Sequence, residues 1–123
     1  MPSRLVTAAA RVSLAIAVGA VLFLATTRQP LPDIAALSDK ANHALAFAVL
    51  ALLADFSFPR ARFGLAKVAS LLAFGVAIEL VQHFLPWREA SAMDVVADLA
   101  GIALYALAAP FVTKLPLLRA GRP

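Results

Sequence analysis

Four apolar stretches of about twenty residues, parted by short segments that hold prolines or charges, decide what this chain can become. They run over residues 5–27, 39–58, 64–85 and 92–112. A bilayer core takes roughly 20 residues per helical crossing. Four crossings therefore consume most of the 123 residues and leave no length for a separate soluble domain. Composition points the same way: 63% of the residues are hydrophobic and only 15% charged, against about 25% charged in a typical soluble domain. Mean hydropathy is +0.88. The expected fold class is all-α, an integral membrane bundle of four transmembrane helices forming one domain over residues 1–123. With no cysteine, disulfides and thiolate chemistry are excluded.

Each boundary has a chemical reason. Pro30 and Pro32 follow the first stretch, Pro59 follows the second and Pro86 the third, and each removes a backbone donor and disfavours helix before it. Ser91-Ala92-Met93-Asp94 reads as a capping box opening the fourth. Trp87 lies where aromatic belts sit. Pro110 either kinks the last turn of the fourth helix or stops it.

The +4 net charge does not point to nucleic acid, because the basic residues flank apolar segments rather than forming a run. Arg4, Arg60, Arg62, Lys67, Lys114, Arg119 and Arg122 fall on one side of an alternating topology, and Arg28, Lys40 and Arg88 on the other. The positive-inside rule then puts both termini in the cytoplasm, with Arg11 snorkelling from within the first stretch. Arg4, Arg11 and residues 12–24 also read as the n- and h-regions of a signal peptide. The lack of a clear small-x-small site favours retention of that helix.

Ionisable and amide groups occur inside these apolar helices at three places. Asp39, Lys40 and His43 open the second helix; Glu79, Gln82 and His83 close the third; Asp94 and Asp98 open the fourth. Alternation brings all three to one end, joined by Arg88, and the charge rule makes that end external. A charge facing lipid at a helix centre costs at least ~2.5 kcal/mol, so the groups should turn inward into a wet pocket. Asp39 and His43, Glu79 and His83, and Asp94 and Asp98 are i, i+4 pairs, each on one face.

Chemically, His43 suits a general base or acid, with Asp39 or Asp94 to orient it, and Glu79 completes the candidate catalytic groups. Lys40 and Arg88 suit an anionic group, and Gln82 and Asp98 suit substrate positioning. Each has a bland counterpart: Asp39 and Lys40 as helix-start residues, Asp94 as a cap, and Glu79 with Gln82 as a polar clamp between helices. Glu79 and His83 have ligand spacing, and Asp94 or His43 completes a set on paper, but no tight multi-histidine signature is present. No metal or other cofactor is expected. Asp55, near the opposite end, is expected to face Arg60 or Arg62, and Tyr105 to serve packing.

In order, Asp39-Lys40-x-x-His43 with Phe47, Glu79-x-x-Gln82, Pro86-x-Arg88, and Asp94 with the small-residue helix through Gly101 resemble the motifs of the VanZ-like family of small bacterial membrane proteins. The resemblance covers residues 39–107. One departure is Asp98, where the family usually has asparagine. The resemblance implies an inner-membrane protein with extracytoplasmic polar motifs, linked to the cell envelope and to glycopeptide antibiotic resistance, without a settled reaction. The expected function is recognition or modification of an anionic lipid-linked envelope molecule, by a hydrolase or group transferase if it is an enzyme. No G-x-S-x-G elbow or phosphate loop names the reaction. The expected partners are membrane lipids or a lipid-linked precursor, not nucleic acid. A noncatalytic interaction subunit of a membrane complex is the alternative.

Overall fold

The computed structural model describes residues 3–28, 39–88 and 90–115, with Asp39 described by its backbone only. Its described residues form four helices and no strand: α1 Arg4–Thr26, α2 Asp39–Ser57, α3 Leu65–His83 and α4 Ala92–Val112. The boundaries fall within two residues of those read from the sequence. Ser3 caps α1 by accepting the Val6 N–H at 3.2 Å. Ser91 caps α4 by accepting from the Met93 N–H. Pro110 sits in the last turns of α4 without ending it, and the helix runs on to Val112.

Three of the four helices, α1, α3 and α4, are long and apolar enough to cross a membrane. α2 falls outside that group because Asp39, Lys40, Asn42, His43 and Asp55 lie within it. Its position accounts for its composition: α2 packs against α1, α3 and α4 alike, most extensively α4. Large apolar side chains meanwhile point outward, with Ile16 68%, Phe84 80% and Leu107 76% exposed. Such a surface is a liability in water and ordinary against lipid tails.

The helices alternate in direction. Arg11, early in α1, donates to the carbonyl of Ser57 at the end of α2. Lys67, early in α3, reaches the same end of α2. Gln82 and Ala25 join the ends of α3 and α1, and Lys40 and Asp94 join the starts of α2 and α4. Hence α2 and α4 run parallel as the central pair, with Phe47, Leu50, Ile102 and Tyr105 buried between the layers.

Lipid does not drive helices together as water does, so close packing must come from small residues and polar contacts. Gly101 is the small residue that matters. A Cβ there would stand 2.0 Å from the carbonyl oxygen of Ala44, a contact no side-chain rotation can relieve. The backbones of α2 and α4 thus touch one turn below the polar end. At Gly75 on α3 a Cβ would lie 2.8 Å from Oδ2 of Asp98. The bare backbone there leaves room for that carboxylate.

At the other end lies a second polar knot. Lys67 is buried and donates to Asp55 Oδ1 at 2.7 Å and to the carbonyls of Phe58 at 2.9 Å and Ala61 at 2.6 Å. Tyr105 donates to Asp55 Oδ2 at 2.5 Å. This corrects two expectations: Asp55 pairs with Lys67 and Tyr105 instead of Arg60 or Arg62, and Tyr105 holds a carboxylate besides packing edge-on against Phe63. Arg11 is likewise more than a snorkelling residue. It caps α2 through Ser57 at 2.9 Å and lies over the Phe58 ring, 5.7 Å from its centroid.

Candidate functional site

The starts of α2 and α4 and the end of α3 bring the expected polar residues to one end of the bundle. His43 is central. Its Nδ1 lies 3.0 Å from Asp98 Oδ1 and its Nε2 3.8 Å from Asp94 Oδ2. With its proton on Nδ1, His43 would donate to Asp98 Oδ1 and turn Nε2 towards Asp94. Asp98 is almost wholly buried. Parallel packing brings the first turns of α2 and α4 side by side, and Gly75 gives the carboxylate its berth on α3.

Asp94 is shared. Its Oδ1 pairs with Lys40, and its Oδ2 faces His43. The capping-box expectation is thus met by Ser91, while the Asp94 side chain turns to α2. Glu79 is buried, and its Oε2 accepts the Ser91 N–H at 2.8 Å, which fixes the start of α4. Its Oε1 is buried with no hydrogen-bond partner among the described residues. One ligand-capable atom each from His43, Glu79 and Asp94 lies within 4.8 Å of the others.

Gln82 is used differently. Its Nε2 donates to the carbonyl of Ala25 at 3.0 Å, one of the carbonyls left over at the end of α1, while its Oε1 is buried without a partner among the described residues. Trp87 adds a second tie by donating to the carbonyl of Thr26 at 3.1 Å. Arg28 lies over the Trp87 ring, 4.7 Å from its centroid. Arg88 follows in the same loop, half-buried. His83 is exposed and meets the Phe84 ring edge-on, so the Glu79 and His83 spacing is not what gathers around His43. A surface groove of about 270 Å³ between the end of α3 and the start of α4 is lined by Val76, Leu80, His83 and Glu79, among others. Glu79 therefore belongs to both the groove and the cluster.

The side chain of Asp39 lies outside the described residues, as do Ser38 and Glu89. Asp98 adds a carboxylate on His43 Nδ1 beside Asp94, the neighbour expected from the sequence, which faces Nε2. Sequence reading placed Asp98 with the substrate-binding groups and took Arg28 as a topology signal only. The i, i+4 spacing of Asp94 and Asp98 was the available sign that both face α2.

The site can orient an imidazole, carry a proton at its Nε2 and present carboxylates to a cationic group. Among the described residues three carboxyl groups, Glu79, Asp94 and Asp98, meet one ammonium, Lys40, so the centre is acidic. Comparison with protein-family models, curated proteins and solved structures finds no match for this chain.

Proposed function

We propose that the chain is a VanZ-like inner-membrane protein of bacteria that crosses the bilayer four times with both termini in the cytoplasm. Its external polar end recognises the anionic headgroup of a lipid-linked envelope molecule. The observation that carries this reading is the His43 and Asp98 pair at 3.0 Å at the bundle end, Asp98 buried and His43 partly so, with Nε2 directed at Asp94. Orientation rests on the bias of basic residues towards the opposite end. The fourth crossing is α2, whose 19 residues rise about 28 Å and which packs against the other three helices. The motif order from Asp39 to Asp94 supports the family.

In this reading Arg88 and Arg28 meet the headgroup at the rim, and the apolar groove beside Glu79 takes part of the lipid. If a reaction follows, Asp98 orients His43, whose Nε2 faces the reacting centre, and the bond broken lies in a lipid-linked substrate. The clamp alternative draws on Gln82 holding Ala25 and Glu79 holding Ser91.

The test is a replacement series scored against membrane abundance. His43→Ala and Arg88→Ala should abolish the envelope phenotype at unchanged abundance, whereas Gln82→Ala should lower abundance. Loss of phenotype only in proportion to abundance in all three would leave the clamp as the function. Reporters fused after Arg62 and after Lys114 should report cytoplasm, and one in the loop around Trp87 the exterior; the reverse pattern would sink the orientation.

A further inference from the structure

We infer that His43, Glu79 and Asp94 form a binding site for one divalent transition-metal ion, of the Zn²⁺ or Mn²⁺ class. Three helices supply the three ligands, and their ligand atoms already lie within 4.8 Å of one another. Ligands of a tetrahedral ion with bonds of about 2.1 Å stand roughly 3.4 Å apart. His43 Nε2 and Asp94 Oδ2, at 3.8 Å, are close to that spacing. One imidazole nitrogen with two carboxylates suits Zn²⁺ or Mn²⁺ better than Ca²⁺ or Cu⁺.

Two further observations point to a ligand and not to a structural cluster. Glu79 is only 9% exposed, yet its Oε1 has no partner among the described residues while Oε2 is held by Ser91. A buried carboxylate oxygen left bare is costly, and a cation against it removes that penalty. The second observation is Asp98. A metal-binding histidine commonly donates its other ring nitrogen to a carboxylate, which fixes the tautomer and raises the basicity of the ligand atom. His43 Nδ1 and Asp98 have that arrangement at 3.0 Å. Asp94 serves both neighbours, Oδ1 towards Lys40 and Oδ2 towards the ion.

The ion also resolves a conflict of charge. An acidic centre repels a phosphate, but three protein ligands leave a coordination position open, and a metal there draws an anionic oxygen to the same place. That bridging role rests on the proposed recognition of an anionic headgroup; the binding of the ion does not.

The experiment uses the full chain in detergent micelles, stripped with a chelator and titrated separately with Zn²⁺ and Mn²⁺. Bound metal is measured by elemental analysis after desalting, and thermal unfolding is followed in parallel. Wild type should retain about one equivalent of at least one ion and unfold at higher temperature with it, as mass action requires. His43→Ala and Glu79→Gln should lose the bound metal, and Asp98→Asn should weaken it by about 10- to 100-fold. His83→Ala should bind as wild type does. Retention of neither ion by wild type, or no thermal shift with either, overturns the site. So does equal binding by His43→Ala. Metal bound by wild type, with the envelope phenotype left intact by His43→Ala and Arg88→Ala, would instead count against the recognition reading alone.

Discussion

Replacing Lys67 by methionine should destabilise the bundle by about 3–5 kcal/mol, the range for stranding one partner of a buried ion pair. The ammonium of Lys67 holds Asp55 Oδ1 and reaches the carbonyls of Phe58 and Ala61 just past the end of α2. Methionine fills much of the space but serves none of those acceptors. Asp55 would keep only the Tyr105 hydroxyl at Oδ2. The double change Lys67→Met with Asp55→Asn should recover part of the loss, since the stranded charge is gone while the carbonyls remain unserved. Unfolding in a denaturing detergent, followed by helix content, measures both. A single-variant loss below about 1 kcal/mol would mean that Lys67 reaches the headgroup region instead.

Gly101→Ala should be nearly as damaging for a different reason. The added methyl would meet the Ala44 carbonyl oxygen at 2.0 Å, so α2 and α4 must part along their whole contact. Overpacking of this kind costs about 1–3 kcal/mol and occasionally more, and a backbone obstacle belongs at the upper end. Asp98 lies one turn before Gly101 and His43 directly before Ala44, so the variant should also lose whatever the site binds. Gly19→Ala is the control. A Cβ there meets nothing within 4 Å, and the exchange should be neutral or stabilising by up to about 1 kcal/mol from helix propensity. Equal behaviour of the two variants would refute the close crossing.

The helices were legible because hydropathy, prolines and Ser91 mark them without reference to tertiary structure. The gathering of His43, Glu79, Asp94 and Asp98 was legible too, because i, i+4 spacing and the cost of charge in lipid leave few places for them. What could not be read was partnership. Asp39 and Asp94 are the neighbours of His43 that the sequence suggests, and only the lateral register of α2 against α4 brings Asp98 to it as well. That register depends on the contact at Gly101, which is a matter of three dimensions. By sequence alone Lys67 reads as a simple topology charge. A clue existed: a lysine in the first turn of a helix opposes the helix dipole, so a compensating acidic partner nearby was to be sought. Asp55 is that partner.

The parallel pairing of α2 with α4 has a consequence for biosynthesis. Chains emerge from the N-terminus onward, so the second helix is made before any of the residues that its imidazole meets on the fourth, while its Asp55 gains Lys67 with the third. Lys67 comes with the third helix, but Asp94, Asp98 and Tyr105 come only with the fourth. A product truncated before residue 92 therefore lacks the Asp94, Asp98 and Tyr105 side chains that α2 meets in the finished fold, a mark by which quality control can tell an unfinished molecule from a finished one.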